Sequence, residues 1–109
     1  PLADTSDFGL VRVIVDDPYK AACVLKEASY IYSITPVLAA AIPDKAGSLC
    51  DILELLNGDG INLDYAYAFT GRRANSAYII LRVDQPDKAA ALLAEAGVHL
   101  VSQDELNEL

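Results

Sequence analysis

Hydrophobic and polar positions along the chain fall into blocks whose period switches between two and about 3.6 residues, the spacings of strands and helices. Residues 8–15, FGLVRVIV, are rich in β-branched and aromatic side chains and are bounded by Asp16-Asp17-Pro18, which predicts a buried strand. Pro18 then opens a helix at the position where a missing N–H costs nothing, with Asp16 or Asp17 as its cap. Ala21, Val24, Leu25 and Ala28 follow at i, i+3, i+4 and i+7, giving that helix one apolar face. Tyr30 to Ile34 predicts a second strand, and Thr35-Pro36 marks a joint.

Val37 to Ile42 is apolar at every position, as expected of a strand covered on both faces and central in its sheet. A helix begins at Ser48, where Ser48 and Asp51 match the S-x-x-D capping pattern, and Leu49, Ile52, Leu53 and Leu56 make its stripe. Gly58 and Gly60 stop it. Ile61, Leu63, Tyr65, Tyr67 and Phe69 alternate with Asn62, Asp64, Ala66, Ala68 and Thr70, a strand with two unlike faces. Residues 71–75 (GRRAN) read as a hairpin turn that keeps Arg72 and Arg73 in water, and Ala77 to Val83 as the returning strand. Pro86 opens a further helix with apolar Ala89, Leu92, Leu93 and Ala96, closed by Gly97. Val98 to Ser102 predicts a last strand, and Asp104, Glu105 and Glu108 a solvated acidic tail.

The two ends of this series match. VDDPYKAA at Val15 to Ala22 returns as VDQPDKAA at Val83 to Ala90, an offset of 68 residues (86 − 18 = 68) that also pairs Leu25 with Leu93 and Ala28 with Ala96. The chain therefore divides into residues 1–35, a strand-helix-strand that is the back half of one copy, and residues 36–109, a complete βαββαβ copy. Such a unit folds as a four-stranded antiparallel sheet with both helices on one face, the ferredoxin-like arrangement. The fold class is α+β, preceded by a partial βαβ repeat. The register predicts a front half for the first copy, ahead of Pro1 or supplied by another subunit, because the two orphaned strands flank a strand that is missing.

Composition narrows the function. A chain of 109 residues with 53% hydrophobic positions suits packed domains rather than disorder. Its net charge of −8 argues against nucleic acid and anionic membrane surfaces as partners. The two cysteines, Cys23 and Cys50, lack metal-ligand spacing and read as reduced thiols, which together with the absence of a signal-like N-terminus predicts a cytoplasmic protein. The lone His99 has no nucleophile signature beside it, so no catalytic residue is assigned. Acylphosphatase chemistry on this topology needs a phosphate-cradling loop with an Arg, and the first strand-to-helix loop offers only Lys45. Asn57 to Asn62 reads as a helix stop, because a calcium loop would need an acid at Leu55 and a Glu at Ala66. Tyr65, Tyr67 and Phe69 resemble an RNA-stacking platform in placement, but the acidity and the absence of a basic aromatic run favour packing. No metal site and no cofactor are predicted.

One loop remains, Pro43-Asp44-Lys45-Ala46-Gly47-Ser48, leading into a helix N-terminus. Gly47 lets backbone approach a ligand, and the N–H groups of Gly47, Ser48 and Leu49 are expected to be unpaired there, which makes a carboxylate site. Asp44 is placed to receive an amino group, and Asn62, at the start of the neighbouring strand, to hydrogen-bond either end. The plainer alternative is a strand-to-helix connection with a good cap.

Residues 42–49 (IPDKAGSL) and 60–63 (GINL) resemble the signature of the ACT domain, an amino-acid-sensing regulatory module, with Val37 to Asp104 similar to a full copy and Phe8 to Thr35 to the back half of another. The resemblance is to small stand-alone tandem-ACT proteins. Ala46 departs from the Pro that usually precedes this glycine and leaves the loop looser. The resemblance implies a non-catalytic, allosteric regulatory protein that binds a small amino acid through Asp44, Lys45, Ala46, Gly47, Ser48, Leu49 and Asn62, near a domain or subunit interface. It also implies at least a homodimer. The alternative is a ligand-free ACT module that serves structure and oligomerisation.

Overall fold

The computed structural model describes residues 10–43, 45–70 and 76–107. The chain divides into two compact units, Pro1–Ile34 and Thr35–Leu109.

The second unit holds the sheet. Strand β1 (Leu38–Pro43) leads into helix α2 (Ser48–Gly58), and strands β2 (Leu63–Thr70) and β3 (Ser76–Val83) precede helix α3 (Pro86–Glu95). Strand β4 (His99–Leu100) and a short helix α4 (Gln103–Asn107) follow. The sheet order is β2-β3-β1-β4, every pairing antiparallel. This is the ferredoxin-like α+β arrangement, with β1 central as its unbroken apolar run predicts. Ile79 pairs with Ala40 and Leu81 with Leu38, and on the same sheet face Ile52 and Leu56 of α2 join Ala89 and Leu93 of α3 in one buried cluster. Alternate positions on the other face, Ala39, Tyr78 and Ile80, are buried too.

Helix α2 ends in a Schellman motif. Gly60 takes the left-handed conformation (φ 71°), its N–H donates to the Asn57 carbonyl, and the Ile61 N–H donates to that of Leu56. Buried Ile61 and Leu56 supply the hydrophobic contact that accompanies this stop.

At the C-terminal end one expectation is corrected and another gains detail. The last strand is only His99–Leu100 rather than residues 98–102, because Ser102 is taken up as the cap of α4. The acidic tail is exposed at Asp104 and Glu105 as expected, but it is a short helix rather than an irregular end. The Glu105 N–H donates to Ser102 Oγ and the Ser102 N–H donates to Glu105 Oε1, a reciprocal capping box written as S-x-x-E. Glu108 lies outside the described residues, as do the hairpin residues 71–75 with Arg72 and Arg73.

The first unit contains helix α1 (Pro18–Glu27), whose N-cap is Asp17, accepting from the Lys20 N–H at 3.0 Å. The strands expected at 8–15 and 30–34 are not formed at residues 10–15 and 30–34, while Phe8 lies outside the described residues. A strand exists through its neighbours. The repeat-related segments of the second unit, β3 and β4, both pair with β1, and no described residue of the first unit plays that part.

Candidate ligand site at the start of helix α2

Strand β1 delivers the chain to Pro43, whose carbonyl accepts the Lys45 N–H at 2.9 Å. Gly47 then turns the chain with φ 91° and ψ −17°, a left-handed geometry that glycine reaches without steric cost. A Cβ at Gly47 would meet nothing within 4 Å, so the space beside this backbone is open.

The helix starts one residue earlier than the capping pattern suggests. Gly47, not Ser48, is the N-cap, because its carbonyl accepts the Asp51 N–H at 2.9 Å, the first bond of the helical ladder. Ser48 is therefore the first helical residue, and Ser48-Asp51 is not a capping box. Its N–H is not unpaired as expected but donates to the Lys45 carbonyl at 3.3 Å, closing the turn. The N–H groups of Leu49 and Cys50 remain without a partner inside the helix, as first-turn geometry requires. Ser48 is only 7% exposed, and its Oγ has no hydrogen-bond partner among the described residues. Lys45, Ala46 and Leu49 are exposed around it. Asp44 lies outside the described residues.

The structure brings Lys45 to Leu49 together but leaves Asn62 elsewhere. Asn62 follows the C-terminal stop of α2, so the 11-residue helix separates it from Gly47, about 16 Å at 1.5 Å per residue. Its side-chain amide and its backbone N–H both donate to the Asp84 carboxylate, each at 3.0 Å. The Asp84 N–H returns a bond to the Asn62 carbonyl at 3.1 Å. Desolvation pushes the Asp84 carboxyl up, but the bonds from Asn62, together with those from Gln85 and the Asp84 backbone, hold the group below the usual aspartate range. Asp84 was legible as a partner only through the tertiary pairing of β2 with β3, since 22 residues separate it from Asn62.

His99 has a partner that its isolation in sequence concealed. Its Nε2 lies 2.9 Å from Glu105 Oε2. This hydrogen bond, ahead of the Ser102 N–H, holds the Glu105 carboxyl below the usual glutamate range. The aromatic residues of β2 pack along the sheet, with Phe69 stacked on Tyr78 of β3 at 5.5 Å and Tyr65 against Tyr67 at 5.5 Å. Among the described residues there is no cluster of three His, Cys, Asp or Glu able to hold a metal ion. No helix among them is long and apolar enough to cross a membrane.

The family model described as an ACT domain pair matches residues 1–109. The crystal structure of protein BT0572 from Bacteroides thetaiotaomicron is similar, with 31% sequence identity and a TM-score of 0.79 over 86% of this chain. This chain spans 64% of the length of that relative. No curated protein matches it.

Proposed function

This chain belongs to the family of ACT domain pairs, and from that premise we propose that it is a non-catalytic regulatory protein that binds a small amino acid at the start of α2. The observation that carries the reading is the Ser48 hydroxyl, buried at a helix N-terminus without a partner among the described residues. A buried polar group left unpaired costs about 1–3 kcal/mol, and a ligand oxygen would relieve that cost. The ligand's α-carboxylate takes the Leu49 and Cys50 N–H groups and the positive end of the helix dipole. Lys45 is the loop's own cation against a net charge of −8, and Asp44 is assigned the α-ammonium group. Ligand uptake then favours the packing of units in which the loop is ordered, which is the regulatory signal.

Asn62 contributes from another copy, because the length of α2 keeps it from the loop of its own unit. The protein accordingly acts as at least a homodimer. One observation favours the alternative of a ligand-free assembly module: the Asn62 amide already has a partner in Asp84.

Isothermal titration of the chain with each of the twenty amino acids separates the two readings. We expect heat from one or a few small amino acids and about tenfold weaker binding in Ser48→Ala. Silence from all twenty overturns the ligand reading in favour of the assembly module.

A further inference from the structure

We propose that Asp84 is a positioning residue for the ligand site: it fixes the Asn62 amide so that Oδ1 is left as the free acceptor, and the site thereby selects compounds with a free α-ammonium group. Asp84's role rests on the amino-acid site proposed above, with Asn62 supplied by another copy. It decides which end of the ligand Asn62 takes.

A carboxamide has a donor end and an acceptor end, and a lone Asn62 is able to turn either one toward a ligand. Asp84 removes that choice. Its two carboxylate oxygens accept from the Asn62 backbone N–H and from Nδ2, each at 3.0 Å, and its own N–H donates to the Asn62 carbonyl at 3.1 Å. An aspartate carboxylate at neutral pH has no proton to give, so it holds the nitrogen of the amide and not the oxygen. Asn62 is exposed, and no described residue donates to its Oδ1. Of the two polar atoms of the amide, only the oxygen is left unengaged.

The setting holds this orientation in place. Leu63 pairs with Val83 in the sheet directly beside Asn62 and Asp84, and Gln85 caps α3 on the other side of Asp84. Both backbones are therefore fixed. Turning the amide over would set Oδ1 against the carboxylate, acceptor against acceptor, and forfeit a charge-assisted hydrogen bond. The bond to the carboxylate also polarises the amide and makes its oxygen the stronger acceptor. Such an oxygen, with a carboxylate behind it, attracts an ammonium group and repels a carboxylate. The ligand's α-carboxylate has its own place at the Leu49 and Cys50 N–H groups, so the two ends of one amino acid are divided between two copies.

Isothermal titration of the full 109-residue chain tests this. The twenty L-amino acids are titrated, and each that binds is compared with the 2-hydroxy acid of the same side chain, as L-alanine with L-lactate. Wild type should prefer the amino acid by at least about tenfold. Asp84→Asn is nearly isosteric, but its new amide nitrogen faces Asn62 Nδ2, so the Asn62 amide turns over and presents a donor. The preference should then fall at least about fivefold. Affinity for the hydroxy acid should hardly change, because a hydroxyl both donates and accepts. Combining Asp84→Asn with Asn62→Asp sets an acceptor toward the ammonium again and should restore the preference, which a loss of structure would not allow. A wild type without the preference, a preference unmoved by Asp84→Asn, or one not restored by the double exchange overturns the role of Asp84 alone. Silence of wild type toward all twenty overturns the amino-acid site and the role of Asp84 with it.

Discussion

Ser29 and Gly97 hold the same left-handed backbone position, at φ 65° and 83°, one residue beyond the C-caps of α1 and α3. Ser29 donates its N–H to the Lys26 carbonyl while the next N–H, of Tyr30, reaches Leu25. Gly97 and Val98 repeat this on Ala94 and Leu93. The same stop is thus built twice, 68 residues apart, once with the residue that suits it and once with a residue that carries a Cβ.

Left-handed backbone costs a Cβ-bearing residue roughly 1–2 kcal/mol, partly offset by the greater entropy glycine loses on folding. Ser29→Gly should therefore stabilise α1 by about 0.5–1 kcal/mol, and Gly97→Ser should destabilise α3 by a similar amount. Hydrogen exchange of the two helices reads both, and a destabilised Ser29→Gly would show that the Ser29 side chain has a role beyond the turn.

Gly47 poses the same backbone question where a ligand is proposed. A Cβ there meets nothing within 4 Å, so Gly47→Ala should pay only the conformational cost, about 1 kcal/mol. Gly47→Asn, which tolerates the left-handed region better, should lose less. Urea denaturation of the three proteins tests the order Gly, Asn, Ala.

The fold of the second unit was legible because the local signals that set its sheet and helices agree with their places. The apolar run of β1 fits a central strand, the stripes of α2 and α3 fit one sheet face, and Gly60 and Gly97 fit helix stops. The first unit was legible as a pattern and not as strands, because a strand is a property of ladder pairing with neighbours, and none is formed at residues 10–15 and 30–34. At the site, the loop and its glycine could be read from the sequence, but the cap residue could not. Ser48 suits a cap by type, and only the left-handed turn at Gly47 shifts it into the helix, where its hydroxyl is buried. Asn62 and Asp84, like His99 and Glu105, were legible singly and not as pairs, since tertiary pairing and an unforeseen helix brought them together.

The repeat makes an unequal pair of core mutations. Leu93 is fully buried among α2, α3 and the sheet, so Leu93→Ala should cost about 2–5 kcal/mol. Its mate Leu25 is only half-buried in α1, and Leu25→Ala should cost about 1 kcal/mol or less. Chemical denaturation followed by hydrogen exchange checks both, and equal costs would mean that the first unit is packed in solution as fully as the second.

The His99–Glu105 contact sets a pH dependence. The folded carboxyl of Glu105 is held below its unfolded value, so the contribution is present above the usual glutamate range and is lost as pH falls through the lowered folded value. Exchange protection of α4 should therefore hold from neutrality to about pH 4.5 and collapse below it. His99→Ala should weaken protection at the higher pH and flatten the acid-side fall. Protection that stayed level through the acid range would remove Glu105 from the anchoring of α4.

The sharpest prediction concerns Ser48, because its hydroxyl pulls stability and binding in opposite directions. Without ligand the buried Oγ has given up water and found no partner among the described residues. Ser48→Ala removes that desolvation cost and places the better helix former inside the first turn. The unliganded variant should thus melt at a higher temperature, with a gain of about 0.5–1.5 kcal/mol. A bound carboxylate that satisfies the hydroxyl in the wild type would raise the wild-type midpoint more than the variant's, narrowing or reversing the difference at saturating ligand. Thermal unfolding of both proteins with and without the amino acid found by titration gives the four midpoints. A Ser48→Ala protein that is less stable than wild type in the absence of any ligand would mean that the hydroxyl is satisfied within the chain and is not waiting for one.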